Sequence, residues 1–161
     1  MTTLTYLEEK KKKKKAHAII DYASQRNCTI RVTRPRKTKL GDFRQFGKNQ
    51  SISVNKNTNS FRFLLTLIHE LAHLETFILH KNQVKPHGKE WKANFKKLYN
   101  YFELDEEFSV DVSILNVVRQ ELENPKACSG INVNLEQAFA KYDEEQGDFL
   151  DQLSEGDFFM F

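Results

Sequence analysis

The feature that most constrains this chain is His69-Glu70-Leu71-Ala72-His73, an HExxH motif set inside an apolar helical repeat. Phe61, Leu64, Leu65, Ile68, Leu71 and Ala72 recur at spacings of three and four, and Asn59 and Ser60 stand ahead of them as N-caps. The spacing predicts a core helix that extends to about Phe77. Two imidazoles four residues apart on such a helix share one face, about 6 Å apart along the axis, and can converge on one ion. Glu70, rotated about 100° from His69, reaches a water on that ion without ligating it. A shuffled chain of this composition shows the motif about once in a hundred.

A catalytic zinc ion takes three protein ligands and keeps one position open, so a third donor is needed. The candidates are Glu75, His80, His87 and Glu90. If the helix persists, His80 lies roughly 13.5 Å beyond the midpoint of the pair, too far to share the ion. Glu75 faces away from His73 and reads as an exposed structural residue. His87 follows the loop from Asn82 to Pro86 and reads as the first turn of the next helix, whose apolar face holds Trp91, Phe95, Leu98, Tyr99 and Phe102. Packing that face on the zinc helix brings His87 to the metal; Glu90 is its rival. The metzincin continuation is absent, because Thr76 and Leu79 stand at its Gly and His places.

The remaining elements are smaller. Residues 4 to about 24 read as a helix around a run of six lysines, Lys10 to Lys15. Cys28 to Thr33, the stretch around Gly41 to Arg44, and Ser51 to Val54 read as three short strands. Helices are expected near Val112–Glu123 and Leu135–Tyr142. The fold class is therefore α+β, a small three-stranded sheet and the HExxH helix followed by a helical C-terminal extension.

The net charge of +3 averages two unlike regions. Residues 1–102 carry 22 basic and 7 acidic side chains, net +15, whereas residues 103–161 carry 3 and 15, net −12. The division suggests a basic working domain, 1–102, and an acidic extension, 103–161, able to fold back over the basic face. Arg31, Arg34, Arg36, Lys37, Lys39 and Arg44, interleaved with Phe43 and Phe46, are candidate nucleic-acid contacts, since cations track phosphates and aromatics stack on unpaired bases. A solvated basic face is the competing account of the same residues.

Cys28 and Cys128 lie 100 positions apart with no CxxC pair, which excludes a disulfide framework and a cysteine zinc ribbon. Both are expected as reduced, partly buried thiols. No apolar run approaches the roughly 18 residues of a membrane span, and the segment after the lysines is too short and polar for a secretory signal. A cytoplasmic, monomeric protein with no membrane partner is the expectation. The apolar end, Phe158-Phe159-Met160-Phe161, is expected either to dock on the core or to mark a chain cut short of its natural end.

HELAHL from His69 to Leu74 followed by PHGKEWK from Pro86 to Lys92 resembles the SprT family of zinc metallopeptidases, whose eukaryotic relative Spartan cleaves proteins crosslinked to DNA. Weaker similarity runs through Arg36-Lys37-Thr38-Lys39-Leu40-Gly41-Asp42 and Ile52–Val54, covering about residues 15–102. The resemblance implies a zincin-like fold with the small sheet packed on the HExxH helix, zinc on His69, His73 and His87, and Glu70 as catalytic base. Many SprT proteins also carry a cysteine zinc ribbon, which two cysteines cannot build. The expected function is zinc-dependent hydrolysis of peptide bonds in a protein or peptide substrate, including DNA-bound or DNA-crosslinked proteins, with single-stranded DNA as a partner. The competing class is a nucleic-acid-binding or stress-regulatory module with a structural zinc site and no proteolysis.

Overall fold

The computed structural model describes residues 3–56, 58–127 and 132–143. Helix α1 (Thr3–Ser24) leads into strand β1 (Cys28–Thr33), the hairpin β2 (Gly41–Phe46) and β3 (Asn49–Asn55), and then α2 (Ser60–His80). Helices α3 (Lys89–Tyr101), α4 (Asp105–Phe108), α5 (Val112–Glu123) and α6 (Val133–Ala140) follow. The sheet order is β1-β3-β2, with β1 parallel and β2 antiparallel to the central β3. The fold is α+β, as its sequence pattern indicates; α4 is the one described helix that pattern did not announce.

The register shows why one sheet face is buried. Ile30 and Phe43 both stand opposite Ile52, and Val32 stands opposite Val54, so the apolar positions of all three strands share a face turned toward the helices. The other face carries Thr29, Arg31, Asp42, Arg44, Ser51 and Ser53.

Helix α2 runs through the middle of the molecule. From Phe61 to Ile68 every side chain is buried, which is the pattern of a helix covered on all sides. Asn59 caps its start by accepting from the Arg62 N–H. At its end Lys81 takes a positive φ of 54° and donates its N–H to the Phe77 carbonyl, which stops the helix and turns the chain. Helix α3 then packs back along α2 through Trp91, Phe95 and Leu98, all buried. Each such side chain contributes about 1.5–3 kcal/mol by leaving water.

Residues beyond 102 share this core. Phe108, Ile114, Val118, Leu122, Leu135 and Phe139 belong to the same buried cluster as Leu64, Leu71 and Trp91. Phe61 stacks on Phe139 and meets Phe108 and Tyr142. The change in composition at residue 103 is thus a change in surface charge, with packing continuous across it. The acidic residues described reach particular cations: Glu106 and Glu107 meet Lys11 and Lys15 of α1, and Glu136 and Asp143 meet Arg62. The lysine run is accordingly not wholly solvated, for Lys15 is only 9% exposed.

Glu75 corrects the expectation of an exposed residue. It is buried, accepts from the Tyr22 hydroxyl at 2.6 Å and from Arg26 Nε at 3.0 Å, and so fastens α1 to α2. Burial pushes its carboxyl up, but the hydrogen bonds from Tyr22 and Arg26 and the charges of Arg26 and Lys97 outweigh this and hold it below its ordinary value. Such a group stabilises the fold above the unfolded carboxyl pKa of about 4.3, and the contribution is lost as pH falls through the lower folded value. Tyr22→Phe should therefore lower stability by about 1–3 kcal/mol at pH 7, the deficit shrinking in strong acid. Denaturant unfolding at both pH values measures it.

Cys28 is buried and free, its thiol pushed up to about 12 by burial. Cys128 and the segment Phe158–Phe161 lie outside the described residues. Among those described, no helix is long and apolar enough to cross a membrane.

Candidate metal centre

One turn apart on α2, His69 and His73 present their rings to the same side. His87 arrives from the turn that joins α2 to α3. The Gly88 N–H closes that turn on the Lys85 carbonyl, and α3 begins only at Lys89. His87 thus lies just ahead of the helix rather than in its first turn, because the chain must finish reversing before helical geometry can begin.

The three Nε2 atoms form a nearly equilateral triangle: 3.2 Å from His69 to His73, 3.0 Å from His73 to His87 and 3.2 Å from His87 to His69. A tetrahedral ion with metal–nitrogen bonds of about 2.0–2.1 Å needs donors about 3.3 Å apart, so the donor set fits one. Three neutral imidazoles with lone pairs aimed at one point repel one another, and a cation is the partner that satisfies all three. Among the described residues this is the one group of three metal-capable side chains so arranged. Glu75, His80 and Glu90 stand outside it; Glu90 lies 3.9 Å from the Lys89 ammonium.

The electrostatics keep the site ready for a cation. Burial, then the neighbouring His73 and His87, lower His69 to about 3; burial and His87 lower His73 to about 4. Burial also lowers His87. All three are neutral at physiological pH, the form that ligates. Trp91 braces them, its ring centroid 4.6 Å from that of His69 and 4.8 Å from that of His87, while its indole N–H donates to the His69 carbonyl at 3.3 Å.

Glu70 is buried beside the triangle, beneath the edge strand β2. Burial, then the Asp42 charge, raise its carboxyl to about 8; Arg36, Lys39 and a hydrogen bond from the Phe43 backbone N–H act in the opposite sense. Gly41 makes this proximity possible: a Cβ there would stand 2.7 Å from Glu70 Oε1, 2.7 Å from Thr66 Cγ2 and 2.9 Å from Glu70 Cγ. Sequence reasoning placed Trp91 on the packing face of the next helix and Phe43 among the nucleic-acid candidates, and it gave neither these two nor Gly41 a place beside the histidines and Glu70. For Gly41 the sequence held a signal, the Lys39-Leu40-Gly41-Asp42 stretch, without its reason.

The candidate nucleic-acid residues divide. Arg31 and Arg44 lie on the polar sheet face, and Arg34 and Lys37 are exposed in the β1–β2 connection. Arg36 is held by Asn55 and Ser53, and both Lys39 and Arg44 pair with Asp42. Arg36, Lys39 and Arg44 are thus engaged within the protein.

Three histidines converging on a helix beside a buried glutamate, in an α+β domain, define a metallopeptidase-like protein. The SprT-like family model matches residues 7–113, about two thirds of the chain, and the chain belongs to that family. The family is metal-dependent in general, in keeping with the donor set. No curated protein and no solved structure matches the chain.

Proposed function

We propose that this protein is a zinc endopeptidase of HExxH type with a zincin-like architecture, and that His69, His73 and His87 hold the ion. The observation that carries this reading is the triangle of Nε2 atoms with the Glu70 carboxyl buried at its side. A bound zinc ion supplies a Lewis acid that polarises a peptide carbonyl and lowers the pKa of a water. Its charge would also draw the Glu70 pKa down from about 8, so that the carboxylate is the base form at neutral pH. Glu70 takes a proton from the attacking water and returns it to the departing amine nitrogen. The Phe43 N–H fixes the carboxylate during both transfers.

Among the described residues strand β2 pairs only with β3, and its residues Gly41, Asp42 and Phe43 border the cleft that holds the three histidines. An extended peptide laid along this edge gains main-chain hydrogen bonds and brings a carbonyl to the site. Among the described residues three donors converge, the number of protein ligands that a catalytic zinc site takes. We assign DNA-bound or DNA-crosslinked proteins as the substrate class, supported by the exposed cations Arg31, Arg34 and Lys37 beside the same sheet. The test is cleavage of an unfolded protein, free or crosslinked to single-stranded DNA, by zinc-loaded and metal-stripped protein.

A further inference from the structure

A cavity of about 240 Å³ opens at His69 and Glu70 and runs between α2 and the α5–α6 region. It shares Gly41, His69, Glu70 and Ala127 with the cleft that holds His73 and His87, so a peptide lying in that cleft would pass its mouth. Leu40, Leu65, Phe95, Pro125, Leu135 and Phe139 give its wall a large apolar share. Of the charged side chains in the lining, Glu70 belongs to the histidine site, Lys126 is exposed, Lys39 pairs with Asp42, and the buried Arg62 and Glu121 have their charge engaged already. Arg62 pairs with Asp143 and Glu136, while Glu121 accepts from the Lys126 backbone N–H and from Asn132. What the buried part of the wall offers a guest is therefore chiefly apolar surface, where a charge would find no free partner among Arg62 and Glu121.

Pro125, Ala127, Leu135 and Phe139 all lie beyond residue 113, where the family match ends. This wall is a contribution of the chain's own C-terminal region. Building on the peptidase reading, we propose that the cavity receives the side chain of the substrate residue flanking the cleaved bond and selects a large apolar one, leucine or phenylalanine. A dry cavity of about 150 Å³ holds benzene, so this one takes a phenyl ring with its methylene. The substrate class is thus peptide with a bulky apolar residue at that one position, and the acidic extension helps determine specificity.

The test uses the zinc-loaded full chain and peptides that differ only in the flanking residue: phenylalanine, alanine or aspartate. The phenylalanine peptide is expected to exceed the alanine peptide by at least about 10-fold in kcat/KM, with aspartate lowest. Ala127→Phe, a change at an exposed position on the shared mouth, should bring the phenylalanine-to-alanine ratio to within about twofold of unity. A readout free of turnover accompanies it: titrating metal-free protein with 3-phenylpropionamide should move the methyl resonances of Leu40, Leu65 and Leu135, and propionamide should not. Cleavage with a flat or charged preference, or equal methyl shifts with both amides, overturns this inference and leaves the peptidase reading standing. Cleavage of none of the peptides and of no unfolded protein overturns the peptidase reading, and this inference with it.

Discussion

Glu70→Gln should keep one zinc ion per chain yet cleave an unfolded protein about 10²–10⁴-fold more slowly, the usual worth of a positioned general base. Glutamine has the same shape and its carbonyl can still accept from the Phe43 N–H, so the three histidines are undisturbed. What it lacks is a site for the proton of the attacking water. A second signature appears in metal-free protein. The folded Glu70 pKa lies near 8, above the unfolded value of about 4.3, so the native state binds the extra proton and stability falls as pH rises between the two. The variant should lose that part of the pH dependence, which thermal melts across pH 4–8 would record. A variant with wild-type turnover would remove Glu70 from the chemistry.

Gly41→Val should reduce kcat/KM by about 10²-fold while leaving zinc affinity nearly intact, because a misplacement of about 1 Å at a catalytic group costs that much. Valine suits a strand, and nothing in the backbone at 41 demands glycine for its own conformation. The obstruction is the Cβ itself, which would overlap Glu70 Oε1 and Thr66 Cγ2. None of the three histidines is among the nearest atoms, so zinc titration separates displacement of the base from loss of the site. Circular dichroism and thermal melting show whether the variant is folded. Full activity would mean that Glu70 has another productive position, and the tight seating of β2 on α2 would then lack catalytic meaning.

The parts of this structure that were legible in the sequence are those governed by neighbours along the chain. Alternation of β-branched residues gave β1 its limits, Cys28 to Thr33, and the three–four spacing of Phe61 to Ala72 marked α2. The motif itself brought His69 and His73 together, since helical geometry alone fixes residues four apart. His87 was recognisable as a ligand candidate but not as a turn residue: its spacing to Trp91 and Phe95 continues the helical pattern, and only the closure of Gly88 on Lys85 shows where the helix starts.

What was illegible depends on contacts far apart in sequence. Glu75 looks like a surface residue until Tyr22 and Arg26, about fifty positions earlier, are seen against it. The charge division at residue 103 is real, yet charge describes the surface, whereas Phe108, Ile114, Leu135 and Phe139 decide the packing and place this region in the common core. The role of Gly41 is likewise invisible locally, because it is defined by a carboxylate on another element.

The central claim is that three imidazoles hold one ion and that hydrolysis depends on it. The most direct measurement is cleavage of an unfolded protein before chelation, after chelation, and after zinc is restored, with bound metal counted at each stage. The expected result is one zinc per chain, loss of cleavage when it is removed, and recovery as the first equivalent returns. Cleavage that survives complete removal of metal, or one tightly bound zinc per chain with no cleavage of free or DNA-crosslinked protein, would contradict the account.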